Sequence, residues 1–190
     1  MTSTVSSVAE QPRLAVKVGL GWSPFSGDGV GDGTFWRYVE LLEELGCDSL
    51  WLSDSAALGG LAPLPALAAV AMRTERLKLG TNVLVMPPRN PVLLARELAT
   101  VDALSGGRML PAGGLGIADP TELAAMGVPR EERTSRLEEA VRIIKALWSG
   151  EPVTMQGEHW SLTDVVLSPR PRRRKLEFWL GGTAPAALRR

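Results

Sequence analysis

Cysteine, histidine and tyrosine each occur once in the 190 residues, and phenylalanine three times. Cys47 alone cannot close an internal disulfide, which fits a reducing compartment. His159 alone rules out a His pair or a His–Cys metal cluster. Net charge is missing as well: 21 basic and 21 acidic side chains give a formal zero, so bulk electrostatics favour neither nucleic acid nor an anionic membrane as partner. No apolar run approaches the roughly 20 residues that span a bilayer. The segment from Met1 to Pro12 is polar and lacks the basic and apolar regions of a signal peptide. These absences lead us to expect a cytoplasmic protein with a disordered leader over residues 1–13 and one domain over 14–190. Several chemical signatures are also lacking. There is no Gly-x-Ser-x-Gly nucleophile elbow, no third glycine to complete a dinucleotide fingerprint after Gly19-x-Gly21, and no calcium-loop spacing around Asp28 and Asp32. The loop from Gly27 to Gly33 therefore reads as a mobile connector.

What the chain does have is 45% hydrophobic residues, enough for a sizeable core, distributed as short apolar runs alternating with longer amphipathic ones. That pattern predicts repeated βα units and a parallel sheet. Strands are expected at Ala15–Trp22, Ser49–Asp54, Leu77–Val85, Arg108–Gly113 and Leu176–Leu180. Helix 34–46 starts at Thr34 as N-cap, carries Phe35, Tyr38, Val39, Leu42 and Leu45 on one face, and stops at Gly46. Further helices are expected over 64–74, then from the cap Asn90 and Pro91 to Gly106-Gly107, over 121–126, over 131–149, and from Ala184 onward. Val153–Leu162 reads as a β-hairpin outside the βα series. Glu97, Asp102 and Arg108 suggest a structural ion-pair cluster, and Trp148 and Trp160 suggest packing residues. His159 is expected to be a solvated or packed hairpin residue, and the run Arg172–Lys175 a solvated surface.

Ligands of parallel α/β folds sit at the carboxyl ends of the strands. Five places qualify: Trp22–Phe25, Asp54-Ser55, Asn82–Pro88, Gly113–Asp119 and Gly181–Thr183. At the last, a strand delivers Gly181-Gly182-Thr183 into a helix N-terminus, where amides lack intrahelical partners and a phosphate could bind; an ordinary βα turn has the same composition. Asp54 could accept a hydrogen bond from a ring N–H or a sugar hydroxyl, or be a solvated loop acid. Gly113-Gly114-Leu115-Gly116 allows the backbone to approach a flat ring, and equally suits a strand-exit turn.

Several stretches carry a family resemblance. They are Leu79-Gly80-Thr81-Asn82-Val83; Arg89-Asn90-Pro91 through Glu97-Leu98-Ala99-Thr100 and Asp102 to Leu104-Ser105-Gly106-Gly107-Arg108; Ala125-Met126-Gly127-Val128-Pro129; Gly157-Glu158-His159-Trp160; and Trp179-Leu180-Gly181-Gly182-Thr183. In this order, over about Val16 to Arg190, the chain resembles the bacterial luciferase-like family of flavin- and deazaflavin-dependent oxidoreductases. The resemblance implies an α/β, TIM-like (βα) barrel that binds FMN or the deazaflavin coenzyme F-420 and acts on a small-molecule substrate. It implies that Asp54 lies near the isoalloxazine edge and that Asn82-Val83 forms a bulge, often with a cis peptide. Gly114 would line the ring, and Gly181, Gly182 and Thr183 would hold the phosphate. Ser55 stands where many deazaflavin-type relatives have histidine, so no catalytic residue is carried over.

Five βα units are expected here where a closed barrel has eight and about 250 residues. We therefore expect an incomplete barrel whose open sheet edges favour homo-oligomers or other association. An oxidoreductase is the first reading. The second is a non-catalytic remnant or regulatory module of the same fold. The third is an open doubly wound sheet binding a mononucleotide, which strand order would distinguish.

Overall fold

A computed structural model describes residues 16–23, 29–172 and 176–182. The leader, Pro24–Asp28, Arg173–Lys175, Thr183 and the helix expected from Ala184 lie outside the described residues. The described elements are β1 (Gly19–Trp22), α1 (Thr34–Glu44), β2 (Ser49–Leu52), α2 (Pro63–Ala71), β3 (Lys78–Thr81), β4 (Leu84–Val85), α3 (Pro91–Leu104), β5 (Met109–Leu110), β6 (Ala112–Gly114), α4 (Pro120–Met126), a 3-10 turn (Arg130–Glu132), α5 (Arg133–Leu147), β7 (Val153–Gln156), β8 (Ser161–Val165) and β9 (Trp179–Leu180).

Strand order follows the sequence, β1-β2-β3-β5 in one sheet and β4-β6-β9 in the next, with every pair in both sheets parallel. A doubly wound sheet requires a reversal of order, and there is none among the described strands. Two of the expected strands are each divided in two. The third breaks at Asn82-Val83, whose peptide is cis. The fourth breaks at Pro111, which has no N–H to give to a ladder. The Thr81 hydroxyl joins the two sheets across these breaks: it donates to the Ala112 carbonyl at 2.7 Å and accepts from the Ala112 amide at 2.8 Å. β7 and β8 pair antiparallel, as the expected hairpin.

The core lies between the sheets and the helices. Leu50, Leu79 and Met109 are register partners on neighbouring strands and are fully buried. They meet Leu67 and Val70 of α2, Leu94 and Leu98 of α3, and Ile143, Ile144 and Leu147 of α5 in one cluster. Each such side chain contributes on the order of 1.5–3 kcal/mol by leaving water. Asn90 caps α3, its Oδ1 accepting from the amides of Val92 and Leu93.

Three local expectations are corrected. Gly33, not Thr34, is the N-cap of α1, and Asp32 supplies the side chain by accepting from the Thr34 amide at 2.9 Å. Leu45 is 76% exposed, because α1 has ended and the turn at Gly46, φ +74°, carries it off the buried face. Arg108 builds no ion-pair cluster with Glu97 and Asp102. The Gly106-Gly107 turn places its guanidinium under the C-terminus of α2, where it donates to the carbonyls of Ala71, Thr74 and Leu77 at 2.9, 2.7 and 2.7 Å. A cation is favoured at that negative helix end. Asp102 is instead buried and accepts from the Arg172 amide at 2.7 Å.

Candidate functional site

A cavity of about 360 Å³ is lined by the strand residues Trp51, Thr81, Ala112, Trp179 and Leu180 and by Asn82, Val83 and Gly181 at the strand exits. It brings Asn82 and Val83, which follow β3, together with Gly181, which follows β9. Gly114 joins them from below. A Cβ on Gly114 would come within 2.8 Å of Val83 Cγ2, and one on Gly181 within 2.8 Å of Val83 Cγ1. Both glycines are therefore required by the Val83 side chain that rests on them. The Gly181 amide is not open to an anion, because it donates to the Gly113 carbonyl at 2.9 Å and extends the ladder. Gly182 follows it and is exposed.

Asp54 is neither a solvated loop acid nor a local cap. Its side chain is 6% exposed and lies 2.7 Å from the Arg89 guanidinium. The same carboxylate oxygen accepts from the Val85 amide at 2.9 Å, while Arg89 Nε donates to the Val85 carbonyl at 3.1 Å. Asp54 and Arg89 thus grip the backbone two residues after Val83, fastening the loop after β2 to the cavity wall.

The far side of that loop is held by Glu122, which is 1% exposed. It accepts from the Ser55 hydroxyl and from the amides of Ala56, Ala57 and Leu58 at 2.8, 3.0 and 3.2 Å. Burial pushes the Glu122 carboxyl up, but the Ser55 hydroxyl and the three amides outweigh it and hold it below the ordinary value. Glu122 follows Asp119 at the spacing of a capping box, and Asp119 does cap α4. Glu122 nevertheless reaches 64 to 67 residues back along the chain instead of closing its own turn. Arg133, also buried, donates to the carbonyls of Leu115 and Gly116 and fixes the turn after β6.

Of the residues the sequence singles out, Asn82, Val83 and Gly181 line the cavity, Gly114 packs under Val83, Asp54 is tied to Val85 and Arg89, and Gly182 is exposed beside Gly181; Thr183 lies outside the described residues. Sequence reasoning missed Trp51, Trp179, Arg89, Glu122 and Arg133. Arg89 and Trp179 had a signal, since each opens a stretch that carries the family resemblance. His159 makes its contacts away from this cavity: its side chain is largely covered, and its Nε2 lies 2.7 Å from the Ser135 hydroxyl. Trp148 is a packing residue whose indole donates to the Ala95 carbonyl at 3.1 Å. Among the described residues there is no cluster of His, Cys, Asp and Glu that could hold a metal ion, and no helix long and apolar enough to cross a membrane.

A family model described as luciferase-like monooxygenase matches residues 13–190. An F420-dependent glucose-6-phosphate dehydrogenase of Microbacterium testaceum (strain StLB037) is 39% identical over 157 residues, covering 78% of this chain and 46% of the relative. A 4-hydroxyprotoasukamycin monooxygenase of Streptomyces nodosus subsp. asukaensis is 33% identical over 147 residues, covering 74% of this chain and 39% of the relative. Among solved structures, a monooxygenase of Streptomyces bottropensis superposes with a TM-score of 0.78 at 26% identity, covering 87% of this chain and 53% of that one. The chain thus spans about half the length, or less, of the relatives it matches.

Proposed function

The chain belongs to the luciferase-like monooxygenase family, and on that premise we propose that it carries the cofactor-binding portion of a flavin- or deazaflavin-dependent oxidoreductase acting on a small organic molecule. Its consecutive parallel strands, joined by helices, are in this reading part of a TIM-like barrel. One observation carries the proposal: Asn82, Val83 and Gly181 line one cavity, and the Val83 side chain there rests on Gly114 and Gly181, so that three strand exits meet.

The two indoles of the lining support a flat ring. Among the described residues no charged side chain lines the cavity, and two indoles do. Asp54 brings no bare charge to the rim, since Arg89 neutralises it at 2.7 Å. The Asn82-Val83 backbone and Gly114 are assigned to the ring. The amides of Gly182 and Thr183 are assigned to the phosphate, with Gly181 contributing only a missing side chain. Bound there, the cofactor would supply hydride transfer or oxygen activation, while the protein orients it and excludes water. Between the two cofactors we favour F-420, on the strength of relatives named as F420-dependent at up to 41% identity over 141 residues; FMN is the alternative.

The test is a titration of the full chain with F-420 and with FMN, followed by cofactor absorbance and fluorescence. Saturable binding of F-420 is expected. Saturable binding of FMN alone would reverse the choice of cofactor, and binding of neither would overturn the proposal.

A further inference from the structure

Trp51 and Trp179 stack with ring centroids 5.6 Å apart and planes at 30°. Trp51 belongs to β2 and Trp179 to β9, strands of different sheets, yet both line the cavity that holds Asn82, Val83 and Gly181. Two glycines make room for Trp51. A Cβ on Gly80, its register partner on β3, would collide with the indole, and one on Gly19 of β1 would come within 2.6 Å of its Nε1. Trp51 Nε1 donates to the Ser49 hydroxyl at 2.9 Å, which fixes the ring along its own strand. The lumen of a βα barrel is ordinarily filled by layers of branched aliphatic side chains. Here large rings are set against bare backbone, and the outer ring keeps an open face, with Trp179 48% exposed. Trp179 lies two residues before Gly181, so the two point to the same side of the strand.

We propose that the Trp51–Trp179 pair is a cofactor-contacting aromatic floor, on which the planar ring of the bound cofactor rests. This deepens the function proposed above and rests on it. Trp179 makes the contact. Trp51 is a positioning residue that holds Trp179 at the required height, and the glycines at 19 and 80 are the condition for its doing so.

The test follows tryptophan emission while F-420 and FMN are titrated into the full chain. The proteins are the wild type, Trp179→Leu, Trp179→Phe, Trp51→Phe and, as a control outside the cavity, Trp36→Phe. Far-UV circular dichroism and thermal unfolding confirm that each is folded. The wild type and Trp36→Phe are expected to lose tryptophan emission in step with cofactor binding. Trp179→Leu should lose most of that quenching and bind about tenfold more weakly, and Trp179→Phe should recover most of the affinity. If the wild type binds a cofactor and Trp179→Leu binds it equally tightly with the same fractional quenching, the floor is wrong while the proposed function stands. If the wild type binds neither cofactor, both fall together.

Discussion

Glu122 is a carboxylate with almost no solvent, and its partners are one hydroxyl and three amides drawn from a loop far back in the chain. Removing a charged acceptor from such a nest strands several donors at once, each at a cost of order 1–3 kcal/mol when buried. Glu122→Gln is therefore expected to lower the unfolding free energy by about 2 kcal/mol, measured by urea denaturation at pH 7. The pH dependence has a definite sign. The folded state holds this carboxyl below its ordinary 4.5, so the stabilisation is complete above that value and is lost as acid protonates the group through its lower folded value. Glu43 behaves alike: burial pushes it up, and the amides of residues 75–77 with the Arg76 charge bring it down further. Stability should fall steeply below about pH 4.5, and the Glu122→Gln variant should show a shallower fall over the same range. Neither role was legible in the sequence. Periodicity and caps are local signals, whereas these contacts join residues 32 to 67 positions apart.

At the scale of elements the sequence was more informative, because a helix or strand is declared by its own residues. Asn90-Pro91 at one end and Gly106-Gly107 at the other bounded α3 to within two residues. The same Asn90 offers a direct check: Asn90→Ala should cost about 1 kcal/mol of stability, seen as a lower urea midpoint with an unchanged slope. Apolar runs located the strands but not their interruptions. Leu77–Val85 reads as one strand because most of its residues are apolar or β-branched, and the break at Asn82-Val83 was pointed to by the family resemblance and not by side-chain type. At Pro111 the residue type itself accounts for the break, since its nitrogen carries no hydrogen to donate. Trp51 and Trp179 were invisible as a pair because their meeting depends on how β2 and β9 are set in space, which neither segment encodes alone. The candidate site was legible for a different reason: strand-exit positions are where ligands bind in such folds, so Asp54, Asn82, Gly114 and Gly181 could be named from topology before any contact was known.

For the molecule as a whole, the outermost strands matter most. Among the described residues β1 and β9 each have a strand on one side only, and apolar side chains accompany them: Leu20 is 42% exposed and Leu180 37%. Unpaired edges of this kind template association. Sedimentation velocity of the 190-residue chain across micromolar concentrations is expected to show concentration-dependent assembly. Leu20→Lys should shift the distribution toward the monomer; an unchanged distribution would place the contact elsewhere.

Three glutamates grip loops in the same way: Glu43 the amides of 75–77, Glu122 those of 56–58, and Glu139 those of 158–160. A ribbon drawing would show these stretches as idle connectors. In deuterated buffer they should instead trade protons as slowly as helix interiors, and hydrogen-exchange mass spectrometry would then mark the protein's rivets where its secondary structure shows only gaps.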